Sequence, residues 1–361
     1  MPEIWLSYGP TDIVLDIRAE NLDKKIEPGG MNLTDIEIST KLEQIDLTKP
    51  TELVILEYSK SIQKVISILL EKCNQKSIPK PKILVDKANF HVLKNIFSDP
   101  TLIISEFDMS QLSNSNLVFI GEMEFDGLFG FNTISTKLVK RFGKDHMLAA
   151  YEKRKGDLPA PGEDLQTFTV AQKFTDAFDI SAIEIVANSL GVVDLSVGHP
   201  SSTSSISKSL SSIAINEVGK HRAMIISTGK ESSDQTFGRS LSSLWNCSEA
   251  IKEEGLAILL AECRNGIGSD AIQQYIEGRM SLDRLKSPAK YVDGMEDLLF
   301  LTEIEKKFQI GIVSILPEFY TKKLGMISFG GIKYVMDHIL KTQGARQKIS
   351  IVSDGSHVLL R

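Results

Sequence analysis

A chain of 361 residues, 42 % hydrophobic and 24 % charged, is long enough for two packed domains and has the composition of a soluble globular protein. Its net charge of −6 excludes a general nucleic-acid binder, which needs a basic surplus against phosphates. No apolar run reaches membrane-spanning length, the opening MPEIWLSYGP follows neither a signal-peptide nor a lipidation pattern, and three scattered cysteines suit a reducing compartment, so no membrane partner and a cytoplasmic location are expected.

Residues 3–18 read as two short strands around the turn Gly9-Pro10-Thr11-Asp12, hence a hairpin. Residues 19–50 are polar and turn-rich and read as a connection with one short helix. From residue 52 the pattern alternates. A buried strand over 52–57 is followed by an amphipathic helix over 58–73, with Ile62, Val65, Ile66 and Leu69 on one face. A strand at 83–85, a helix over 88–97, and strands at 102–104 and 117–121 continue a βαβ series, which predicts a parallel sheet. Residues 122–180 are less regular, with helices at 135–142, 146–154 and 168–177. Strands at 183–187 and 192–197 form a second hairpin, and 206–215 read as a Ser-capped helix leading into a second domain.

The second half repeats the α/β logic. A buried strand at 223–227 leads through a polar loop to a helix capped by Asp234 and ended by Gly255, then to a strand at 256–261. The loop Glu262-Cys263-Arg264-Asn265-Gly266-Ile267-Gly268 opens a further helix. Helices follow at 271–277, 290–308, 317–324 and 332–342, with a strand at 311–315 and a tail hairpin, 348–352 with 357–360, around Asp354-Gly355. Strand ends facing helix starts are where such sheets bind ligands.

No CxxC cluster, HExxH, Walker loop or GxSxG motif is present. The strand–Asp–helix–strand–ECRNGIG series and the opening YGPTDIVLDIRAENL instead resemble the nickel-pincer lactate racemase family. The resemblance implies two Rossmann-like α/β domains around a cleft: residues 1–215 with the returning tail 346–361, and residues 216–345. It further implies a racemase or epimerase that takes a hydride from a small 2-hydroxy acid onto a lysine-attached nickel-pincer nucleotide, with histidines as acid, base and metal ligand, and an arginine on the carboxylate.

Matched residue by residue, the chain departs from that family. Glu57-Tyr58-Ser59-Lys60 replaces an Asp-x-Thr-Arg run; Ser59 and Lys60 are either an anion site or a helix cap with exposed charge. Asn89-Phe90-His91-Val92 keeps one candidate acid/base histidine, His91, and Phe107-Asp108 keeps only the Asp of a His-Asp pair. Asp126 stands at another histidine position. Thr133 and Ile134 replace glycines, and Thr136 occupies the cofactor-lysine position with Lys137 one residue late. His146 matches the nickel histidine. Arg239 and Ser242 fall where Gln and Lys reach the cleft, so Glu57, Ser59, Lys60, Asp234 and Arg239 are the candidate substrate-binding residues. Against this reading stands a second: a non-catalytic relative that binds a small anion or nucleotide in the cleft. Oligomeric state is left open.

Overall fold

The structure, a computed structural model, describes residues 3–97, 99, 101–113, 116–202, 204–229 and 231–361. In chain order the strands of the first half are β1 (Glu3–Tyr8), β2 (Thr11–Asp16), β3 (Leu22–Ile26), β4 (Glu52–Ile55), β5 (Lys82–Val85), β6 (Ile104–Glu106), β7 (Leu117–Glu122), β8 (Glu124–Asp126), β9 (Gly130–Asn132), β10 (Ile180–Asn188) and β11 (Gly191–Gly198). The second half adds β12 (Ile215–Asn216), β13 (His221–Ser227), β14 (Ile251–Leu260), β15 (Gln309–Val313), β16 (Ile327–Phe329), β17 (Ile349–Val352) and β18 (Leu359–Leu360).

Two six-stranded sheets result. The first has the order β11-β10-β7-β4-β5-β6, parallel except for the β10–β11 hairpin. The second, β16-β15-β14-β13-β17-β3, is parallel throughout. The central strands Leu53–Ile55, Ile83–Val85 and Ala223–Ile226 are fully buried apolar runs, as strands covered by helices on both faces must be. The helix Lys60–Gln75 lays Ile62, Val65, Ile66 and Leu69 onto the first sheet beside Leu53, Ile55 and Ile83. The expected α/β class with a parallel sheet in each half is what the chain builds.

Four expectations change. The helix of the central stretch runs only from Phe237 to Cys247, capped by Thr236, and β14 begins at Ile251. Exposed Lys252-Glu253-Glu254 reads like a helix end, yet a kink with Glu254 at φ 58° sits inside the strand. Gly255 is required there because a Cβ would stand 2.9 Å from the Arg222 carbonyl oxygen. The tail does not fold back on itself: β17 inserts between β13 and β3, and β18 pairs with β12. Gly355 N–H is bonded to the Ser227 carbonyl at 2.7 Å, which carries the chain across instead of around. Strand β3, hidden in the polar LDKKI, is an edge strand of the second sheet. Finally, the β1–β2 hairpin buries Ile4, Leu6, Leu15 and Ile17 against Ala223, Ile225 and Leu256, so the first residues pack on the second sheet. Among the described residues no helix is long and apolar enough to cross a membrane.

Candidate functional site

A cleft of about 830 Å³ lies where the C-terminal ends of β4, β5 and β8 face the helix Phe237–Cys247, the ECRNGIG loop and the start of the helix Met295–Ile304. Three of the sequence-predicted residues meet in it. Glu57, just past β4, receives Lys137 Nζ at 3.0 Å on one oxygen and Arg239 Nη2 at 3.1 Å on the other. Lys137 also donates to the Glu122 carbonyl at 2.7 Å, and its side chain is only 5 % exposed. It is therefore not the solvated helix lysine that a short amphipathic helix suggests. Burial alone would raise the Glu57 carboxyl, but Lys137 and Arg239 outweigh it and hold it at about 2. Burial would likewise lower Lys137, yet Glu57 and Glu124 keep it above its ordinary value, hence charged.

Ser59 caps the helix Lys60–Gln75 by accepting the Ile62 N–H at 3.1 Å and donates to Glu122 Oε1 at 2.6 Å, so the hydroxyl is used internally. Lys60 is exposed in the first turn of that helix and is not among the cleft-lining residues. Asp234 is buried: its carboxylate accepts the Gly9 and Glu262 N–H groups and clasps the β1–β2 turn to the ECRNGIG loop. It is not the cap of the following helix and does not line the cleft. Burial raises its carboxyl to about 6, against the two N–H donors. His91 is exposed on the helix Phe90–Ile96, edge-on to Phe90 at 5.6 Å, while its neighbours Asn89 and Val92 line the cleft. His146 is exposed and packs on Phe174 at 5.2 Å. Among the described residues no group of three His, Cys, Asp or Glu can hold a metal, so His146 has no co-ligands there.

Asp126 organises the β8–β9 turn. Its Oδ1 accepts Leu128 N–H at 2.9 Å and Phe129 N–H at 2.7 Å, and its Oδ2 is paired with Lys140. Thr136 is fully buried in a capping box with Thr133, and the Ile134 side chain fills the space over Gly121, where a Cβ would meet it at 2.6 Å. The ECRNGIG loop caps the helix Phe237–Cys247 with backbone: Phe237 N–H bonds to Gly266 O at 3.0 Å and Gly238 N–H to Ile267 O at 2.8 Å. That helix start therefore has no such N–H groups to give an anion. Cys263, buried 3.9 Å from Ser240 Oγ, has its thiol pushed by burial to about 12 and is a core residue.

Sequence reasoning missed most of the second-half wall: Trp245, Arg264, Asp293, Glu296 and Asp297, faced by Lys140 and Arg141 from the first half. Asp293-Gly294 before an acidic helix turn was a visible turn-and-cap signal. Nothing in it announced a cleft.

Matched against protein-family profiles and against curated proteins, the sequence finds no counterpart. Comparison of folds does. The lactate racemase apoprotein from Thermoanaerobacterium thermosaccharolyticum superposes with a TM-score of 0.75 at 16 % identity over 100 % of both chains. The chain has a lactate racemase-like fold. A second solved structure, a Thermotoga maritima protein, has a TM-score of 0.65 at 10 % identity and covers 92 % of this chain and 100 % of its own. At such identities the likeness is one of fold.

Proposed function

We propose that this lactate racemase-like chain holds a small carboxylate, 2-hydroxy acids included, in the cleft through Arg239, without nickel-pincer hydride chemistry. The observation that carries the reading is Arg239 itself. Its guanidinium is 41 % exposed, lines the cleft, and uses one nitrogen on Glu57, which Lys137 also neutralises. Its other donors have no described partner, and a planar fork suits a carboxylate. Arg264, exposed on the same wall, makes no ion pair among the described residues and adds positive potential.

The pincer nucleotide supplies hydride transfer when bound, but the residues present do not fit it. Its attachment needs an unprotonated amine. Lys137 is held charged between Glu57 and the Glu122 carbonyl, and Thr136 is locked in its capping box. The backbone approach that glycines would allow is filled by Ile134. His91 and His146 stand outside the cleft, and no histidine is among its described lining residues. No step is therefore routed through that group.

The test is calorimetric titration of L-lactate into the wild-type chain and R239Q. Binding to the wild type that weakens at least tenfold in R239Q, about 1.4 kcal/mol, supports the reading. Equal affinity of the two proteins, or no binding to the wild type at millimolar concentration, overturns it.

A further inference from the structure

The cleft has a second, acidic end. Asp293, Glu296 and Asp297, at the start of the helix Met295–Ile304, line it opposite Asp126 and Lys140. Acidic residues in a first helical turn are ordinary, because the helix dipole favours them there, and that accounts for exposed Asp293. It does not account for Asp297. This side chain lines the cleft yet is 8 % exposed, and its carboxyl makes no hydrogen bond or ion pair with any described residue. Glu296 has Tyr291 Oη at 2.8 Å, and Lys140 is taken by Asp126. The Asp297 carboxyl opens onto the cleft, where a donor from a ligand can reach it.

Gly238, Gly268 and Gly294 line the same cleft. Ser269 links them, since a Cβ on Gly238 would come 3.3 Å from its Cβ and one on Gly294 would come 2.0 Å from its Oγ. Arg239 and Asp297 thus line one cleft together with these glycines, a cation and a carboxyl without a described partner.

We infer that the cleft takes a zwitterion of the amino-acid class, its carboxylate on Arg239 and its ammonium on Asp297. This rests on the carboxylate site at Arg239 and narrows its ligand from small carboxylates in general to amino acids. Burial and Glu296, with Asp293 and Asp126, hold the Asp297 carboxyl well above its ordinary value against Lys140. An ammonium stabilises the charged form of a carboxyl, so an amine-bearing ligand draws Asp297 toward ionisation.

The experiment is titration at pH 7 with two matched pairs, L-alanine against L-lactate and γ-aminobutyrate against butyrate. Each is run in phosphate and in Tris, whose ionisation enthalpies differ. The expected result is at least tenfold tighter binding of the amine-bearing member of a pair, with more proton release than its partner shows. D297N should abolish both the preference and the proton release while keeping lactate binding. Lactate binding through Arg239 with no preference for the amine in either pair overturns this inference and leaves the carboxylate reading standing. A preference unchanged in D297N also overturns it, and failure of all four ligands to bind overturns both. Should D297N not fold by circular dichroism, the matched pairs and proton release on the wild type decide alone.

Discussion

Glu184 sits beneath the first turn of the helix Ile134–Phe142, where one oxygen accepts the Ile134 N–H at 2.8 Å and the other has no partner. It is 2 % exposed, and burial raises its carboxyl from 4.5 to about 7, against that N–H and Lys137. A raised carboxyl weakens the fold as pH climbs from the ordinary value through the raised one, and the full penalty is present above about 7. E184Q keeps an acceptor for Ile134 and has no charge to bury. Urea unfolding should find it more stable than wild type at pH 8, by on the order of 3 kcal/mol at most, and indistinguishable near pH 4. The opposite case is His357, whose ring Nδ1–H donates to Asp354 Oδ2 over 2.8 Å. Burial would lower its pKa, but Asp354 outweighs burial and lifts it to about 9 from 6.5. The stability from this pair is fully present below 6.5 and is lost as pH rises through about 9. H357Q should cost about 3 kcal/mol at pH 6, with the difference from wild type shrinking toward pH 9.

At the scale of elements, the chain's regular pieces were legible and its joints were not. The buried runs at β4, β5, β13 and β15 and the amphipathic face of Lys60–Gln75 follow directly from periodicity. Strand β3 and the polar first half of β14 were invisible, because edge position and a bulge let charged residues occupy strands. The tail misled because an Asp-Gly step normally turns a hairpin, and here Asp354 is held by Ser356 and His357 instead. Asp234 shows the same limit: its spacing fits a helix cap, while its carboxylate joins two elements 225 and 28 residues away. D234A leaves the Gly9 and Glu262 N–H groups without acceptors and should destabilise the chain by about 2–4 kcal/mol. Hydrogen exchange should rise first at those two amides; unchanged protection there would refute the clasp.

At the scale of the molecule, Glu57 bridges the cleft walls by joining Lys137 of the first half to Arg239 of the second. The sequence pointed to these three residues through the lactate racemase resemblance, and the fold likeness agrees with it. It also pointed to His91 and His146, which lie on exposed helix faces, because a matched spacing does not say which way a helix is turned. The acidic wall, Asp293 to Asp297, was missed since charge on a first helical turn looks the same whether it faces water or a cleft. The proposed absence of pincer chemistry turns on Lys137, a charged lysine spent on Glu57 and the Glu122 carbonyl. The most direct measurement is intact mass with nickel analysis on protein co-produced with the cofactor-forming enzymes. The account predicts the unmodified 40.0 kDa chain without stoichiometric nickel. A mass increase mapping to Lys137, with bound nickel, would contradict it.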